Sequence, residues 1–409
     1  MKVCFETFGC RLNRAEALEM QAAFEERGWE TTASHADADM VVVRGCSVTA
    51  RAESDSLKLI EHIREKYPLK RIVATGCLHD KRNEHWLRDL SRGRSRSPLP
   101  AVAARIAARA KTSGQTVAPT ARAYLKVQDG CSMGCAFCIV PQFRGKARSE
   151  HFQDCLDKAK AFVDAGYHEI VVTGCNLSMY HADGKGLSDL AVALAELDPG
   201  CRIRLSSVEP GQAALSLVDA MAATPGICRF LHLPVQSASA MMLSSMRRPY
   251  TMKLVDEIMA KAVRLMPGIA IGCDLMTGFP GETELDFLAT KLLFNRHPIA
   301  KAHIFPYSER PGTLAEHFPG VISRSIRKER AHELAKIADA ERTRYAKRFI
   351  GKDVEFVVED EEQCAGWSSE YLWCVATSMA TARPKRRELV KMRVLETQGH
   401  MLTGRVERR

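Results

Sequence analysis

Three closely spaced cysteines, in the first half of the chain, have a spacing suited to binding a metal cluster. Cys131, Cys135 and Cys138, here called the loop trio, follow an apolar segment with the spacing C-x3-C-x2-C. Thiolates are soft ligands that suit iron, and Gly130 and Gly134 let the backbone fold closely around a cluster. Three ligands leave one iron of a 4Fe-4S cluster open to a further molecule. A zinc site or a chance grouping is the alternative, although zinc prefers a fourth ligand at paired spacing.

A second set of cysteines, the sheet trio, is spread over the first 80 residues. Cys10, Cys46 and Cys77 each follow a glycine at the end of a short apolar run. Parallel strands end at the same edge of a sheet, so the fold can bring the three thiolates together. The pattern therefore predicts a second three-thiolate site. The alternative is three buried core cysteines.

The elements that position the sheet trio alternate between strand and helix. Apolar runs at 3–8, 40–45 and 71–76 are separated by amphipathic stretches at 14–27 and 51–66. Such alternation predicts a parallel sheet with right-handed crossovers. Residues 1–90 are expected to form a small α/β domain. Residues 91–117 form a basic connector, in which six basic and no acidic residues lie between 91 and 111.

The loop trio follows the first strand of a longer series. The predicted strands lie at 124–127, 169–173, 202–205, 230–233, 269–275 and 301–305, with helical patterns between them. Six such βα units predict an open or partial α/β barrel, whose function gathers at the carboxyl ends of the strands. A charged helix at 324–348 closes this domain, which spans 118–348.

The last 60 residues change character. Strand-like alternation at 353–359 and 389–394, with Gly366, Gly399 and Gly404 assigned to turns, predicts a small β-barrel over 349–409. The basic residues at 383–387, 391, 393, 408 and 409 suit the neutralisation of phosphates. An ordinary solvated surface explains the same charges.

Composition excludes several classes of protein. The chain has 409 residues, a net charge of +10 and 14 cysteines. No apolar run approaches the ~20 residues of a membrane span, and the first residues do not form an export signal. The cysteines are therefore expected as thiolates, metal ligands or buried thiols of a cytoplasmic protein. The basic balance favours a polyanionic partner such as nucleic acid.

Ordered motifs along the chain resemble those of a known family. The loop trio, with Phe137 before its last cysteine, and the βα series resemble the radical S-adenosylmethionine superfamily. Together with the sheet trio and the final barrel, they resemble the methylthiotransferase family over nearly the whole length. The matching motifs lie at 7–13, 128–131, 139–141, 144–145, 148–149, 173–177, 205–210, 233–237, 246–251, 278–283 and 305–308.

The resemblance implies a division of labour between two 4Fe-4S clusters. A cluster on Cys131, Cys135 and Cys138 would cleave one S-adenosylmethionine, and the adenosyl radical would take hydrogen from C2 of an adenine. A cluster on Cys10, Cys46 and Cys77 would supply sulfur, which a second S-adenosylmethionine methylates. The amino-terminal domain is then expected to cover the barrel mouth. The last domain would be a TRAM-like RNA-binding β-barrel.

Within the family, the motifs at 7–13 and 206–210 look most like the branch that modifies N6-threonylcarbamoyladenosine at position 37, in the anticodon stem-loop of transfer RNA. The alternatives are isopentenyladenosine at the same position, an aspartate of a ribosomal protein, and a non-enzymatic RNA-binding iron-sulfur sensor or scaffold. The partners implied are an electron donor such as flavodoxin or ferredoxin and a sulfur source.

Further residues at the strand ends are candidates for binding S-adenosylmethionine. They are Phe137, Gly174, Asn176, Ser206, Glu209 and Gln236. Asn176 and Glu209 could instead cap local backbone groups, and Phe137 could be ordinary core. The cysteines outside the two trios show no shared spacing and are expected to be buried, with Cys175 as the exception to watch.

Overall fold

The computed structural model describes residues 1–78, 120–379 and 383–407. The predicted basic connector at 91–117 lies outside the described residues, as do Arg408 and Arg409. Within the described ranges, every helix is too short or too polar to cross a membrane.

The amino-terminal domain is a parallel sheet with the strand order β2-β1-β3-β4. Residues 40–45 are buried throughout, so β3 lies at the centre of the sheet. The Thr49 side chain accepts a hydrogen bond from the Ala52 amide and so caps α2. The elements are β1 (Lys2–Thr7), α1 (Arg11–Glu26), β2 (Glu30–Thr31), β3 (Met40–Gly45), α2 (Ala50–Lys66) and β4 (Arg71–Gly76).

The central domain contains all six predicted strands, in two parallel three-stranded sheets. An isolated parallel bridge between Ile203 and Ile227 lies where the two sheets adjoin. The six strands thus form an open arc, which confirms the predicted partial barrel. The strands in spatial order are β5 (Ala123–Lys126), β8 (Glu169–Thr173), β11 (Arg202–Leu205), β12 (Phe230–Gln236), β13 (Ala270–Thr277) and β14 (Ile299–Pro306).

The central domain has eight helices in the part of the chain that is described, and most of them pack against the outside of this arc. They are α3 (Val140–Arg144), α4 (Phe152–Asp164), α5 (Leu187–Ala195), α6 (Gln212–Ala223), α7 (Ala240–Ser245), α8 (Met252–Leu265), α9 (Glu284–Arg296) and α10 (Arg324–Lys347). Short strands β6 (Gln128–Asp129), β7 (Arg148–Ser149), β9 (His181–Ala182) and β10 (Lys185–Gly186) lie in the loops, with 3-10 turns at Leu177–Met179 and Leu314–His317.

Alternation along the strands gives the barrel an apolar outside and a polar inside. Ile170 and Val172 of β8 pack in the core beneath the helices, as do Ile203 and Leu205 of β11. The intervening residues face the interior, because successive side chains of a strand point to opposite faces. They include charged side chains, which need partners when they are buried inside the barrel.

The carboxyl-terminal domain is a closed five-stranded barrel with the order β15-β16-β17-β19-β18. Its strands are β15 (Asp353–Asp360), β16 (Ala365–Ser368), β17 (Trp373–Met379), β18 (Leu389–Gln398) and β19 (Met401–Val406). The assignment of Gly366 and Gly404 to turns is wrong, since both lie inside strands. A Cβ at Gly366 would lie 1.8 Å from the Val357 carbonyl oxygen, so close backbone approach explains the glycine.

This small barrel docks at the amino-terminal end of the central strands. Arg202 donates to the Glu355 carbonyl at 2.9 Å, and Arg204 donates to the Ser368 carbonyl at 2.7 Å. Both guanidinium groups also bind the buried Glu169 carboxylate. Although burial opposes its charge, Arg204 and Arg202 hold the pKa of Glu169 well below its usual value. The carboxyl ends of the strands are thus left open to the loop that carries the loop trio and to the amino-terminal domain.

Candidate functional site

The loop trio lies in a turn held by backbone hydrogen bonds. The Cys131 amide donates to the Gly145 carbonyl at 3.1 Å, and the Cys138 amide donates to the Cys135 carbonyl at 3.1 Å. Gly130 has a positive φ of 68°, and a Cβ there would lie 2.1 Å from the Lys146 carbonyl oxygen. A glycine is therefore required where the chain enters the turn.

The surroundings of the loop trio fit an iron-sulfur cluster. All three thiols are partly exposed. Burial raises the pKa of Cys135, and Arg248, which donates to Cys135 Sγ at 3.0 Å, partly offsets this effect. Burial raises the pKa of Cys138 to about 12, and a bound metal ion would favour its thiolate form. Within the described residues, neither trio is among the groups whose ligand atoms all lie within 4.8 Å of one another. The sulfur atoms of each trio are therefore spaced more widely than the ligands of a single zinc ion, which favours a larger cluster.

The structure brings the sheet trio to one edge of the amino-terminal sheet. Cys10 is exposed, whereas Cys46 and Cys77 are 4% and 2% exposed. Burial raises the pKa of Cys46, and the neighbouring Cys10 and Cys77 raise it further, so the three thiols share one environment. A Cβ at Gly9, where φ is 88°, would lie 2.5 Å from Cys46 Cβ. This glycine lets the chain after β1 lie close to Cys46 at the end of β3.

A network of charged side chains joins the two trios. Arg144 donates to Asn13 Oδ1 at 2.9 Å, to Glu16 Oε1 at 3.0 Å and to Asp129 Oδ1 at 3.1 Å. Lys126 also donates to Glu16 at 2.7 Å. Asn13 follows Cys10 by three residues, and Asp129 precedes Cys131 by two. The network therefore ties the amino-terminal domain to the carboxyl end of the barrel, beside both trios.

Glu16 is the anionic centre of this network. Burial opposes its charge, but Lys126, Arg44 and Arg144 lower its pKa to about 2. The sequence reasoning assigned no role to these residues. Asn13, Asp129 and Arg144 lie within the family motifs, and this position could have identified them. Glu16 is one of several acidic residues on α1, and nothing in the sequence distinguishes it from the others.

The end of the third barrel strand carries two of the candidates for binding S-adenosylmethionine. Ser206 Oγ is buried and lacks a hydrogen-bond partner within the described part of the chain, as expected of a group that awaits a ligand. Glu209 forms an ion pair with Arg248, and burial raises its pKa to about 7. Its carboxylate therefore does not cap local backbone. Gln236, at the end of β12, has a positive φ of 69°.

The other candidates surround the loop trio. Asn176 accepts from the Ser178 amide at 3.1 Å, as a cap, while its Nδ2 donates to Met133 Sδ at 3.0 Å in the trio's own loop. A Cβ at Gly174 would lie 2.9 Å from Gln128 Cβ, so tight packing accounts for this glycine. Phe137 packs edge to face against Phe279, with ring centroids 6.4 Å apart. Its contacts are those of core packing.

Seven cysteines outside the trios are buried, as predicted. They are Cys4, Cys155, Cys201, Cys228, Cys273, Cys364 and Cys374. Cys175 is partly exposed and donates to Asp129 Oδ1 at 3.5 Å, beside the charged network.

The basic carboxyl-terminal segment is only partly available to a polyanion. The Arg387 guanidinium lies 4.2 Å from the centroid of the Tyr167 ring and is buried. Lys391 and Arg393 both pair with Asp353. Arg383 and Lys385 are exposed and accessible to phosphates.

Two protein families match the chain. Residues 2–92, which include the sheet trio, match a family described as Uncharacterized protein family UPF0004. Residues 125–294, which include the loop trio, match the Radical SAM superfamily. Among solved structures, the radical S-adenosylmethionine methyltransferase TsrM from Kitasatospora setae has a TM-score of 0.55 at 15% identity, and the match covers 77% of each chain. That likeness concerns the fold.

Curated relatives match nearly the whole chain. The threonylcarbamoyladenosine tRNA methylthiotransferase MtaB of Bacillus subtilis is 31% identical, over 90% of this chain and 89% of the relative. The protein of the same name from Aquifex aeolicus is also 31% identical, over 89% and 94%. The tRNA-2-methylthio-N(6)-dimethylallyladenosine synthase of Methylacidiphilum infernorum is 30% identical, over 98% and 94%. These matches show that the chain belongs to the radical S-adenosylmethionine methylthiotransferases, enzymes that use S-adenosylmethionine and two 4Fe-4S clusters.

Proposed function

We propose that the protein is a transfer RNA methylthiotransferase that converts N6-threonylcarbamoyladenosine at position 37 to its 2-methylthio derivative. The observation that carries the proposal is that both cysteine trios adjoin a single interdomain network, centred on Arg144 and Glu16. Two clusters held there can face one base. The relatives named for this activity, at 31% identity, support the choice of substrate.

In this proposal the chain's residues hold, orient and shield the cofactors. Cys131, Cys135 and Cys138 would bind one cluster, and Cys10, Cys46 and Cys77 the other. When bound, the cofactors supply an adenosyl radical and a sulfur atom to be methylated. Arg248 bridges Cys135 and Glu209 and so fixes the carboxylate beside the trio.

The division of the chain follows from these roles. Residues 1–90 would carry the sulfur-supplying cluster, residues 118–348 the radical chemistry, and residues 349–409 part of the RNA contact. Ser206, Asn176 and Gln236 lie at strand ends where S-adenosylmethionine would bind. Glu16 and Arg144 close the interdomain contact, which excludes water from the radical.

The partners follow from the chemistry. The anticodon stem-loop of transfer RNA is the substrate, and Arg383 and Lys385 are free to neutralise its phosphates. A one-electron donor such as flavodoxin or ferredoxin would reduce the loop-trio cluster, and a sulfur source would replenish the sheet-trio cluster. An enzyme that acts on transfer RNA would work in the cytoplasm.

A second candidate substrate is N6-dimethylallyladenosine at the same position. The relative from Methylacidiphilum infernorum, named as a synthase of 2-methylthio-N6-dimethylallyladenosine, matches 98% of this chain at 30% identity. A difference between 31% and 30% identity does not distinguish the two substrates. The substrate therefore has to be decided by the modified nucleosides themselves.

Mass spectrometry of transfer RNA nucleosides tests the proposal. A strain without the gene should lose 2-methylthio-N6-threonylcarbamoyladenosine and accumulate its precursor, and the wild-type gene should restore it. A gene encoding Cys10→Ala should not. Loss of the dimethylallyl derivative instead would establish the second candidate, and an unchanged nucleoside profile would exclude both.

A further inference from the structure

The interior of the barrel contains an open polar surface on β14. Ala302 and Ile304 pack toward the helices, so Lys301 and His303 face the interior. His303 has 44% of its side chain exposed and contacts Asp274, which also binds the buried His232. This part of the interior is thus open to solvent at His303.

Arg11 reaches the same interior from the amino-terminal domain. This residue directly follows Cys10 of the sheet trio, and its Nη2 donates to the Tyr371 hydroxyl at 2.6 Å. Lys301 Nζ lies 3.9 Å from the centroid of the same ring. Arg11, Lys301 and Tyr371 therefore join all three domains at one point inside the barrel.

Within the described residues, neither Lys301 nor Arg11 forms an ion pair with a carboxylate, although Asp274 lies beside His303. Burial lowers the pKa of Lys301 to about 8; Tyr371 opposes this, and the nearby Arg342 and Arg11 lower the pKa further. Burial opposes ionisation of Tyr371, but Arg11 and Lys301, followed by other arginines, lower its pKa to about 8. Several cations thus share one phenol, an arrangement that an incoming anion would stabilise.

We propose that Lys301 and Arg11, with His303 beside them, bind the carboxylate on the N6 substituent of the substrate base. This inference rests on the proposed function. A threonylcarbamoyl group ends in a carboxylate, whereas a dimethylallyl group is a hydrocarbon. C2 and the N6 substituent flank N1 on the Watson–Crick edge of adenine, so a base whose C2 faces the clusters holds its substituent beside them, on the side where Arg11 follows Cys10.

Position favours this carboxylate over a backbone phosphate. Lys301 is the third residue of β14, below the strand ends, and its neighbours His232 and Phe230 are buried. A phosphodiester joined to two nucleotides stays at the surface, whereas a substituent on a flipped base reaches inside. The exposed Arg383 and Lys385 offer the phosphates a different site.

Binding of three anticodon stem-loop RNAs to the cluster-loaded enzyme tests the proposal. The RNAs carry N6-threonylcarbamoyladenosine, its methyl ester, or unmodified adenosine at position 37, and Kd is measured by fluorescence anisotropy without oxygen. The wild-type enzyme should bind the carboxylate RNA at least about tenfold more tightly than the ester, as expected for one charge-assisted hydrogen bond. Lys301→Met should abolish this difference by weakening binding of the carboxylate RNA alone.

Two further variants control for damage to the fold. Lys301→Arg keeps the charge and should keep most of the preference. Lys253→Met removes an exposed lysine of α8, away from the site, and should bind all three RNAs like the wild type. Iron content is compared for every variant, so that loss of a cluster is not taken for loss of recognition.

The outcomes separate the inference from the proposed function. Equal binding of carboxylate and ester RNAs by a wild-type enzyme that still methylthiolates threonylcarbamoyladenosine would overturn the inference alone. Equal weakening of all three RNAs by Lys301→Met would assign the lysine to a phosphate and overturn it too. Methylthiolation of a dimethylallyladenosine RNA in place of the threonylcarbamoyl RNA would overturn both.

Discussion

The loop trio and the sheet trio differ in how far apart their cysteines lie in the chain. Cys131 and Cys138 bound eight consecutive residues, whereas Cys10 and Cys77 are separated by two helices and three strands. The loop trio therefore depends on local turns, and the sheet trio on the complete amino-terminal fold. Similar ligand sets can thus differ in what disrupts them.

Cysteine substitution gives the largest expected effect and tests whether the trios are independent. Two clusters imply about eight irons per chain, and Cys135→Ala should leave about four. It should also reduce formation of deoxyadenosine from S-adenosylmethionine to background. Replacing Cys10, Cys46 and Cys77 together with alanine should also leave about four irons but keep cofactor cleavage. If either change removed all the iron, the two sites would not be independent.

Glycine substitution tests the local character of the loop trio. In Gly130→Ala the new Cβ would lie 2.1 Å from the Lys146 carbonyl oxygen, at a φ of 68°. We expect a loss of about 3 kcal/mol in stability and of the iron held by this trio. Gly134→Ala is the matched control, because its φ is 71° but there is no atom within 4 Å of the new Cβ. It should cost about 1 kcal/mol, from backbone strain alone. Equal effects in urea unfolding would contradict this account.

Acid titration tests the network between the trios. Glu16 has a pKa of about 2 against its usual 4.5, so its stabilisation is complete above pH 4.5 and is lost as the pH falls toward 2. The difference in unfolding free energy between wild type and Glu16→Gln should be about 3 kcal/mol near neutrality and shrink over that window. Exposed Glu61→Gln on α2 serves as the control. A difference that is constant with pH would exclude this role for Glu16.

Arg248→Lys gives the smallest expected effect and should alter the loop trio only. A lysine cannot donate to both Cys135 Sγ and Glu209, as Arg248 does. Cleavage of S-adenosylmethionine should slow about tenfold, equivalent to one charge-assisted hydrogen bond. The electron paramagnetic resonance signal of the loop-trio cluster should shift, while that of the other cluster stays unchanged. Arg247→Lys, at the exposed neighbouring position, should change neither.

Local patterns predicted most of the fold and both trios. The six barrel strands and the Gly-Cys strand ends were predictable because apolar runs and their terminators are features of consecutive residues. Gly366 and Gly404 were assigned to turns because the sequence does not show which backbone approaches them. Glu16 and Tyr371 could not be found, since their roles depend on partners more than 100 residues away. Long-range pairing of charged side chains leaves little trace in a single sequence.

The hydrogen bond between Arg11 and Tyr371 has a consequence for biosynthesis. The two residues are 360 positions apart, so the second is translated long after the first. At about 5 to 20 residues per second, the ribosome needs about 20 to 70 seconds to cover that distance. During this time Cys10 has neither its neighbouring arginine anchored nor the last domain in place. The amino-terminal domain therefore spends this time without its contact to the last domain.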